Sequence, residues 1–376
     1  MLAPFRPTIR SIPRTKYFIT TRTFAFAMAE PSTKRLKPDV TIGTHNGHFH
    51  ADEALAVYML RLLPTYRDAR LVRTRNQAEL DELHTVVDVG GQYDAQQNRY
   101  DHHQKTFATT FPNRPTKLSS AGLIYLHFGK SILAQSLATI KDEPVTEEDS
   151  DVSLLHPKIY ESFIEALDAH DNGISTYDPQ ILAAAGAEKR FSTGGFNLGA
   201  MVGRFNPAWN DPPAGQEAED AKFEMASQRI GEEFSRMVEY YCKSWMPARE
   251  VVAKAYHCRS EADPEGRVMV LKGTSAPWKA HLYTLEEETG EVGKVLYVLY
   301  PEKPVEGAKW RVQCVPDAAD SFSSRKPLPE AWRGIRAAEL DAVSGITGCV
   351  FVHAGGFIGG NATYEGAIEM VKRALD

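Results

Sequence analysis

Three histidines and two acids crowd one ten-residue stretch of this chain, Thr44-His45-Asn46-Gly47-His48-Phe49-His50-Ala51-Asp52-Glu53. Asp88 follows, between Val87 and the run Val89-Gly90-Gly91, and then comes Tyr100-Asp101-His102-His103-Gln104. A fourth group is Asp168-Ala169-His170-Asp171-Asn172-Gly173. Neutral imidazole and ionised carboxylate are ligands that borderline-hard divalent ions accept. A single Asp before Gly is usually a turn residue, and a single exposed histidine is usually only solvated. Clusters of this density change that reading, because burying so many carboxylates and imidazoles without a cation is costly. The pattern predicts a metal site. Cys242, Cys258, Cys314 and Cys349 form no CxxC pair, so they read as free thiols in a reducing compartment. The metal must then be held by His and carboxylate, which points to Mn²⁺, Mg²⁺, Co²⁺ or Fe. His127, His156 and His257 lack acidic or glycine neighbours and read as ordinary helix residues.

The ligand groups sit where elements begin and end. Val40-Thr41-Ile42-Gly43 reads as a short strand, and Ala51 to Leu63 carries apolar residues at helical spacing up to Pro64. Ala69 to Thr74 is strand-like, Ala78 to Leu83 helical, and Val86 to Val89 a buried strand stopped by Gly90-Gly91. Ser119 to Phe128, Ile132 to Ile140 and His156 to His170 read as helices. Alternating strands and helices predict an α/β domain with a mostly parallel sheet, in which ligands bind beyond the carboxyl ends of the strands. Residues 175–216 are rich in Gly, Pro and Asn, and Glu217 to Tyr241 is a long amphipathic helix. Strands are expected at Val268 to Leu271, Val295 to Tyr300, Trp310 to Val315 and Cys349 to His353, with helices at Ile335 to Val343 and Thr363 to Ala374. The chain thus divides into a catalytic domain at 39–200, a helical connection at 201–260 and a smaller α/β substrate-binding domain at 261–376.

Residues 1–38 differ in composition from the rest. No acid precedes Glu30, while Arg6, Arg10, Arg14, Lys16 and Arg22 alternate with Ser, Thr and Phe. That is the composition of a mitochondrial transit peptide. Met28 offers a second start, followed by the short basic run Lys34-Arg35-Leu36-Lys37, which allows a nuclear or cytosolic pool. At 376 residues, two domains are expected. A net charge of −6 excludes a uniformly basic nucleic-acid coat. No apolar run approaches the roughly 18 residues that span a bilayer, so a soluble protein is expected.

Two metal-hydrolase families come into view. His48-Phe49-His50 after a strand resembles the opening of amidohydrolase barrels, but that fold needs eight βα units, for which there are too few strands. A His/Asp motif, a strand-end Asp, a DHH triplet and a later Asp, in that order, resemble the DHH phosphoesterase superfamily. The first motif departs from the usual spacing of one His and two Asp, which leaves its ligands the least settled. At closer range GTHNGHFHADEALA, VVDVGGQYD, RYDHHQ, TKLSSAGLIYLHFG, ALDAHDNGIS, WRG and FVHAGGFIGG are similar to the Myg family (melanocyte-proliferating-gene proteins), over about residues 40–376.

That resemblance implies a DHH-like N-terminal domain and a 3′–5′ RNA exonuclease with mitochondrial and nuclear pools, acting on RNA 3′ ends or short oligonucleotides. It implies two divalent ions, manganese before magnesium or cobalt, bridged by Asp88, with His45, His50 and Asp52 on one side and His102 and Asp171 on the other. His103 is assigned to the scissile phosphate or leaving oxygen. Asp101 and Glu53 would orient histidines, and Asp168 would be a ligand or a support. His353 with Gly355 and Gly356, in the run His353 to Gly360, resembles the glycine-rich segment that DHH enzymes place over phosphates, where amides exposed by glycines just before a helix suit an anion; the alternative is a plain strand-to-helix turn. Arg311, Arg325, Lys326 and Arg333 are further phosphate-contact candidates, and Trp310 and Trp332 either stack a base or fill a core. Two other classes stay open: a catalytically silent RNA-binding scaffold and a small-nucleotide phosphohydrolase.

Overall fold

The computed structural model describes residues 40–213, 215–318 and 321–376; the expected targeting segment, residues 1–38, lies outside them. The first half carries β1 (Thr41–Thr44), α1 (Ala51–Arg61), β2 (Arg70–Arg73), α2 (Gln77–Asp81), β3 (Thr85–Val87), β4 (Tyr93–Asp94) and β5 (Arg99–Tyr100). Helices α3 (Ser120–Lys141), α4 (Ser150–Ile159) and α5 (Glu165–Asp171) follow, α4 and α5 being joined by a π-turn at Tyr160–Ile164. The strands form a sheet in the order β2-β1-β3-β5-β4. All pairings are parallel except β4 with β5. The alternation of short strands and helices therefore does produce a mostly parallel sheet. The two expected helices at 119–128 and 132–140 are one, α3, because nothing between them breaks the helical backbone.

After α6 (Pro179–Ala184) and α7 (Leu198–Gly203) comes α8 (Gln216–Tyr240), which runs through a second π-turn, Tyr241–Trp245, into α9 (Met246–His257). Its apolar stripe packs on α1. Phe223, Ala226, Ile230, Phe234 and Val238 are buried in one core with Leu55, Met59 and Leu60. Helix α8 is thus part of the first core rather than a connector, while Val252 and Tyr256 of α9 belong to a core with the second sheet.

That sheet is built from β6 (Val268–Val270), β7 (Tyr297–Pro301), β8 (Trp310–Cys314), β9 (Cys349–Val352) and β10 (Ile358–Asn361), with α10 (Lys279–Thr289), α11 (Ala337–Ser344) and α12 (Tyr364–Leu375). Its order is β6-β7-β8-β10-β9, parallel only at β6–β7. The glycine-rich run expected to lead into a helix instead turns β9 back on β10 as a hairpin. Gly356 takes a left-handed φ of 70° there, which a side chain would resist. Residues 39–376 form one compact unit. Among the described residues no helix is long and apolar enough to cross a membrane.

The α1–α8 contact is close enough to need a glycine. A Cβ on Gly231 would lie 2.0 Å from the Tyr58 ring, and that ring is held by a 3.0 Å hydrogen bond from its hydroxyl to Ser235. Helix propensity alone favours Ala over Gly by about 1 kcal/mol. Overpacking outweighs it, so Gly231→Ala is expected to lower stability by about 1–3 kcal/mol, read from the urea unfolding midpoint; a rise in stability would contradict this contact.

Candidate metal centre

Strand β1 ends at Thr44, and the next six residues cross to α1 as the loop that carries His45 and His50. Arg73, at the end of the neighbouring β2, holds this loop. Its guanidinium donates to the carbonyls of His45 (3.2 Å) and Gly47 (2.6 Å), pairs with Asp220 of α8 and lies over both the Phe49 and Phe223 rings. From the far side Asn206 clamps Phe49 by both its amide and its carbonyl. His45 is buried while His48 and His50 are exposed. Neither Arg73 nor Asn206 stands out in the sequence, since their partners are distant in the chain.

Asp52 and Glu53 are neighbours in the first turn of α1, so they point about 100° apart around the helix axis. Glu53 turns to the loop, accepting from the His50 amide at 2.8 Å and meeting His45 Nε2 at 3.0 Å. Asp52 turns to the start of α3, accepting from the Ser120 amide and, at 2.6 Å, its hydroxyl. The expected grouping is corrected here. Asp52 stands with His102 and Asp171, and Glu53 takes its place with His45, His50 and Asp88.

Asp88 lies between the two groups. It follows β3 with a φ of 59°, a left-handed backbone that costs a non-glycine residue energy and recurs at functional sites. Its Oδ2 is 3.4 Å from His45 Nε2 and its Oδ1 3.3 Å from His102 Nε2. His102 Nε2 is also 3.0 Å from Asp171 Oδ2. Each Asp88 oxygen therefore faces a different histidine. A third group joins Asp88, His102 and His103, and the ligand atoms within each group lie within 4.8 Å of one another.

The side chains call for a cation. Asp52 Oδ1, Glu53 Oε2, Asp88 Oδ1 and both ring nitrogens of His102 are buried without a hydrogen-bond partner. Burial, reinforced by Asp88, Glu53 and Asp171, pushes the Asp52 carboxyl well above its usual range. At Asp88, burial pushes the same way, but the His102 and His45 rings that face it outweigh it and hold the carboxylate well below the usual range. Burial disfavours charge on both histidines. The carboxylates that face them, Asp88 and Glu53 at His45 and Asp171 and Asp88 at His102, still raise each to about 9. Positive charge is what this cluster lacks. The His, Asp and Glu donors suit divalent manganese, magnesium or cobalt.

The remaining residues sort by contact. Asp101 accepts from the Gly91 amide (2.6 Å) and from His103 Nδ1 (2.7 Å), which leaves His103 Nε2 free on an exposed side chain. Asp168 is fully buried and meets the α3 N-terminus instead of the metal groups. It accepts from the Ser119 amide and hydroxyl, the Gly122 amide and the Tyr160 hydroxyl, and burial pushes its carboxyl up to about 7. A Cβ on Gly122 would lie 2.4 Å from that carboxylate, so Ser119-Ser120-Ala121-Gly122 is a docking surface for two acids. A cavity of about 480 Å³ opens over the cluster, lined by His50, Asp52, Asp88, His102, His103, Lys117, His170, Asp171, Gly199 and neighbours.

The substrate contacts expected from the second half are not among that lining. Arg325 forms a buried bidentate pair with Glu286. Arg311 pairs with Glu302 and lies over the Phe351 ring. Lys326 and Arg333 donate to the carbonyls of Leu375 and Leu328. In the hairpin, the Gly355 amide bonds His353 Nδ1 and the Gly356 amide the His353 carbonyl, so neither is free for an anion. Trp332 is a core residue, and Trp310 packs on Tyr364.

With this geometry in view, comparison with known proteins is informative. Residues 41–375 match the model of the MYG1 exonuclease family, described as an uncharacterised protein family, UPF0160. The chain belongs to this family. A human relative named MYG1 exonuclease is 48% identical over 350 residues, 92% of this chain and 88% of its own. A MYG1 protein of Dictyostelium discoideum is 42% identical, covering 90% of this chain and 97% of its own. A solved Vibrio structure titled a pGpG-specific phosphodiesterase aligns over 89% of this chain and 97% of its own, at 14% identity and a TM-score of 0.24, too slight a likeness to inform fold or function.

If the cluster takes divalent ions, manganese raises the melting temperature and EDTA reverses the rise. Ligating imidazoles are neutral, so protons held by His45 and His102 must leave. Affinity should therefore tighten from pH 6 toward 9, with proton release measurable by titration calorimetry in two buffers. Ser120→Ala, which frees Asp52 from its hydroxyl donor, should weaken binding about 10–100-fold. Affinity that is flat with pH and indifferent to Ser120 would count against this site.

Proposed function

We propose that the protein is a metal-dependent phosphodiesterase, a 3′–5′ exonuclease on RNA that uses two divalent ions. The observation that carries this reading is Asp88, whose two oxygens face two separate histidine–carboxylate groups on the floor of one cavity. Relatives named exonuclease favour a nucleic-acid substrate. Divalent ions in such a pair supply Lewis acidity toward a phosphate and its attacking water, so no Ser or Cys nucleophile is required.

The chain's own residues do the rest. His45, His50, Glu53 and Asp88 hold one side, and Asp52, His102, Asp171 and Asp88 the other. Ser120 fixes Asp52, and Arg73 fixes the loop that carries the first two histidines. Asp101 accepts from His103 Nδ1 and favours the protonated ring, whose Nε2–H then donates to the scissile phosphate or its leaving oxygen. The opening beside His103 and His170 admits a chain end.

End-labelled RNA, DNA, dinucleotides and pyrophosphate, each incubated with manganese, test the reading. The expected result is an RNA ladder shortening from its 3′ end, reduced at least about 10³-fold in Asp88→Ala and His102→Ala. Preferential cleavage of dinucleotides would favour the small-nucleotide alternative, and a metal-loaded protein inert on every substrate would leave the silent-scaffold reading. For localisation we propose mitochondrial and nuclear pools, from the basic N-terminal composition. Deleting residues 1–27 should abolish import into isolated mitochondria, and unchanged import would refute the targeting role.

A further inference from the structure

Two ions neutralise a carboxylate cluster, but a phosphate adds charge of its own, and that charge moves onto its non-bridging oxygens as the bond breaks. A phosphodiesterase cavity therefore needs a cation on the side away from the metals. The arginines and lysine of the second half that suggested themselves are engaged in internal pairs and carbonyl bonds.

Lys117 is different. Among the described residues lining the cavity it is the one Lys or Arg, and it forms no ion pair there. It is half-buried, with its ammonium 5.4 Å from the Phe107 ring centroid, and that ring lies edge-on to His102. Its backbone is fixed from three directions. The Lys117 carbonyl accepts from Asn172, next to Asp171; the Leu118 amide bonds Thr109; and Ser119 holds Asp168. The backbone that carries it is thus tied to the same turn that presents Asp171 and leads into the helix that fixes Asp52, while among the described residues the ammonium pairs with no carboxylate.

We propose that Lys117 is a catalytic residue that binds a non-bridging oxygen of the scissile phosphate in the cavity over the metal-ligand carboxylates. This rests on the phosphodiesterase reading and adds the side chain that recognises the phosphate. Lysine acts there as a mobile point charge, which needs no bidentate geometry.

The test compares wild type with Lys117→Ala, Lys117→Met and Lys117→Arg, each checked for an unchanged melting temperature and unchanged manganese affinity. Two readouts are used: turnover of RNA, and calorimetric binding of inorganic phosphate to the manganese-loaded protein. Expected are a loss in kcat/KM of about 10²–10³-fold in the Ala and Met variants, partial recovery in Arg, and phosphate affinity at least about tenfold weaker in Ala. An Ala variant within twofold of an active wild type overturns the proposal and leaves the phosphodiesterase reading standing. If wild type turns over no substrate, that reading falls, and phosphate binding alone decides: equal affinity in wild type and Ala overturns a phosphate role for Lys117, and weaker affinity in Ala supports it.

Discussion

Moving a carboxylate from water into a protein interior costs several kcal/mol unless donors or a cation meet it. Asp52, Glu53, Asp88, Asp101 and Asp168 are all buried in the first half of this molecule. The architecture around them is organised by that cost. Asp168 is satisfied by the first turn of α3 and the Tyr160 hydroxyl, and Asp101 by the Gly91 amide and His103. Asp52, Glu53 and Asp88 each keep a buried oxygen with no partner. The fold satisfies its supporting acids completely and its central acids only in part, and the partly satisfied ones converge on one cavity.

This division explains why so many elements meet at one point. The first turn of α3 receives two carboxylates from two other helices, so α1, α3 and α5 are tied together at the floor of the site. A helix N-terminus suits that duty, because its first amides lack intrahelical partners and its dipole favours negative charge. The π-turn at Tyr160–Ile164 inserts an extra residue just before α5, which rotates the face carrying Asp168 and Asp171. The π-turn at Tyr241–Trp245 has no such ligand beyond it. It marks the place where one continuous helix leaves the first core and enters the second.

The second half contributes less to the centre than its composition suggests. Arg311, Arg325, Lys326 and Arg333 serve internal structure, and the Arg325–Glu286 pair shows why. Glu286 is fully buried and also accepts from the Val295 and Gly293 amides, so its guanidinium partner is needed where it stands. A cation already neutralising a buried acid has little left to offer a phosphate. Among the described residues Lys117 pairs with no acid, which is what sets it apart.

The chemistry was largely legible in the sequence, because metal ligands cluster at strand ends and helix starts where local signals are strong. The clusters around His45, Asp88, His102 and Asp171, the mostly parallel sheet and the apolar stripe of α8 all follow from patterns a few residues long, which short-range backbone physics enforces. What the tertiary structure alone decided were pairings across long separations. Asp52 and Glu53 are adjacent in the chain, and only the positions of Ser120 and His45 show which acid serves which group. Arg73, Asn206 and Ser120 are unremarkable letters until distant loops come against them. The glycine run reads equally well as a helix entry or a hairpin, since glycine permits both, and pairing with β8 settles it. Whether a basic side chain is engaged depends on a partner tens of residues away, as Arg325, paired with Glu286, and Lys117, with no acid partner among the described residues, show from opposite sides. Local propensity names the groups able to do chemistry; packing decides which of them are left with charge to use.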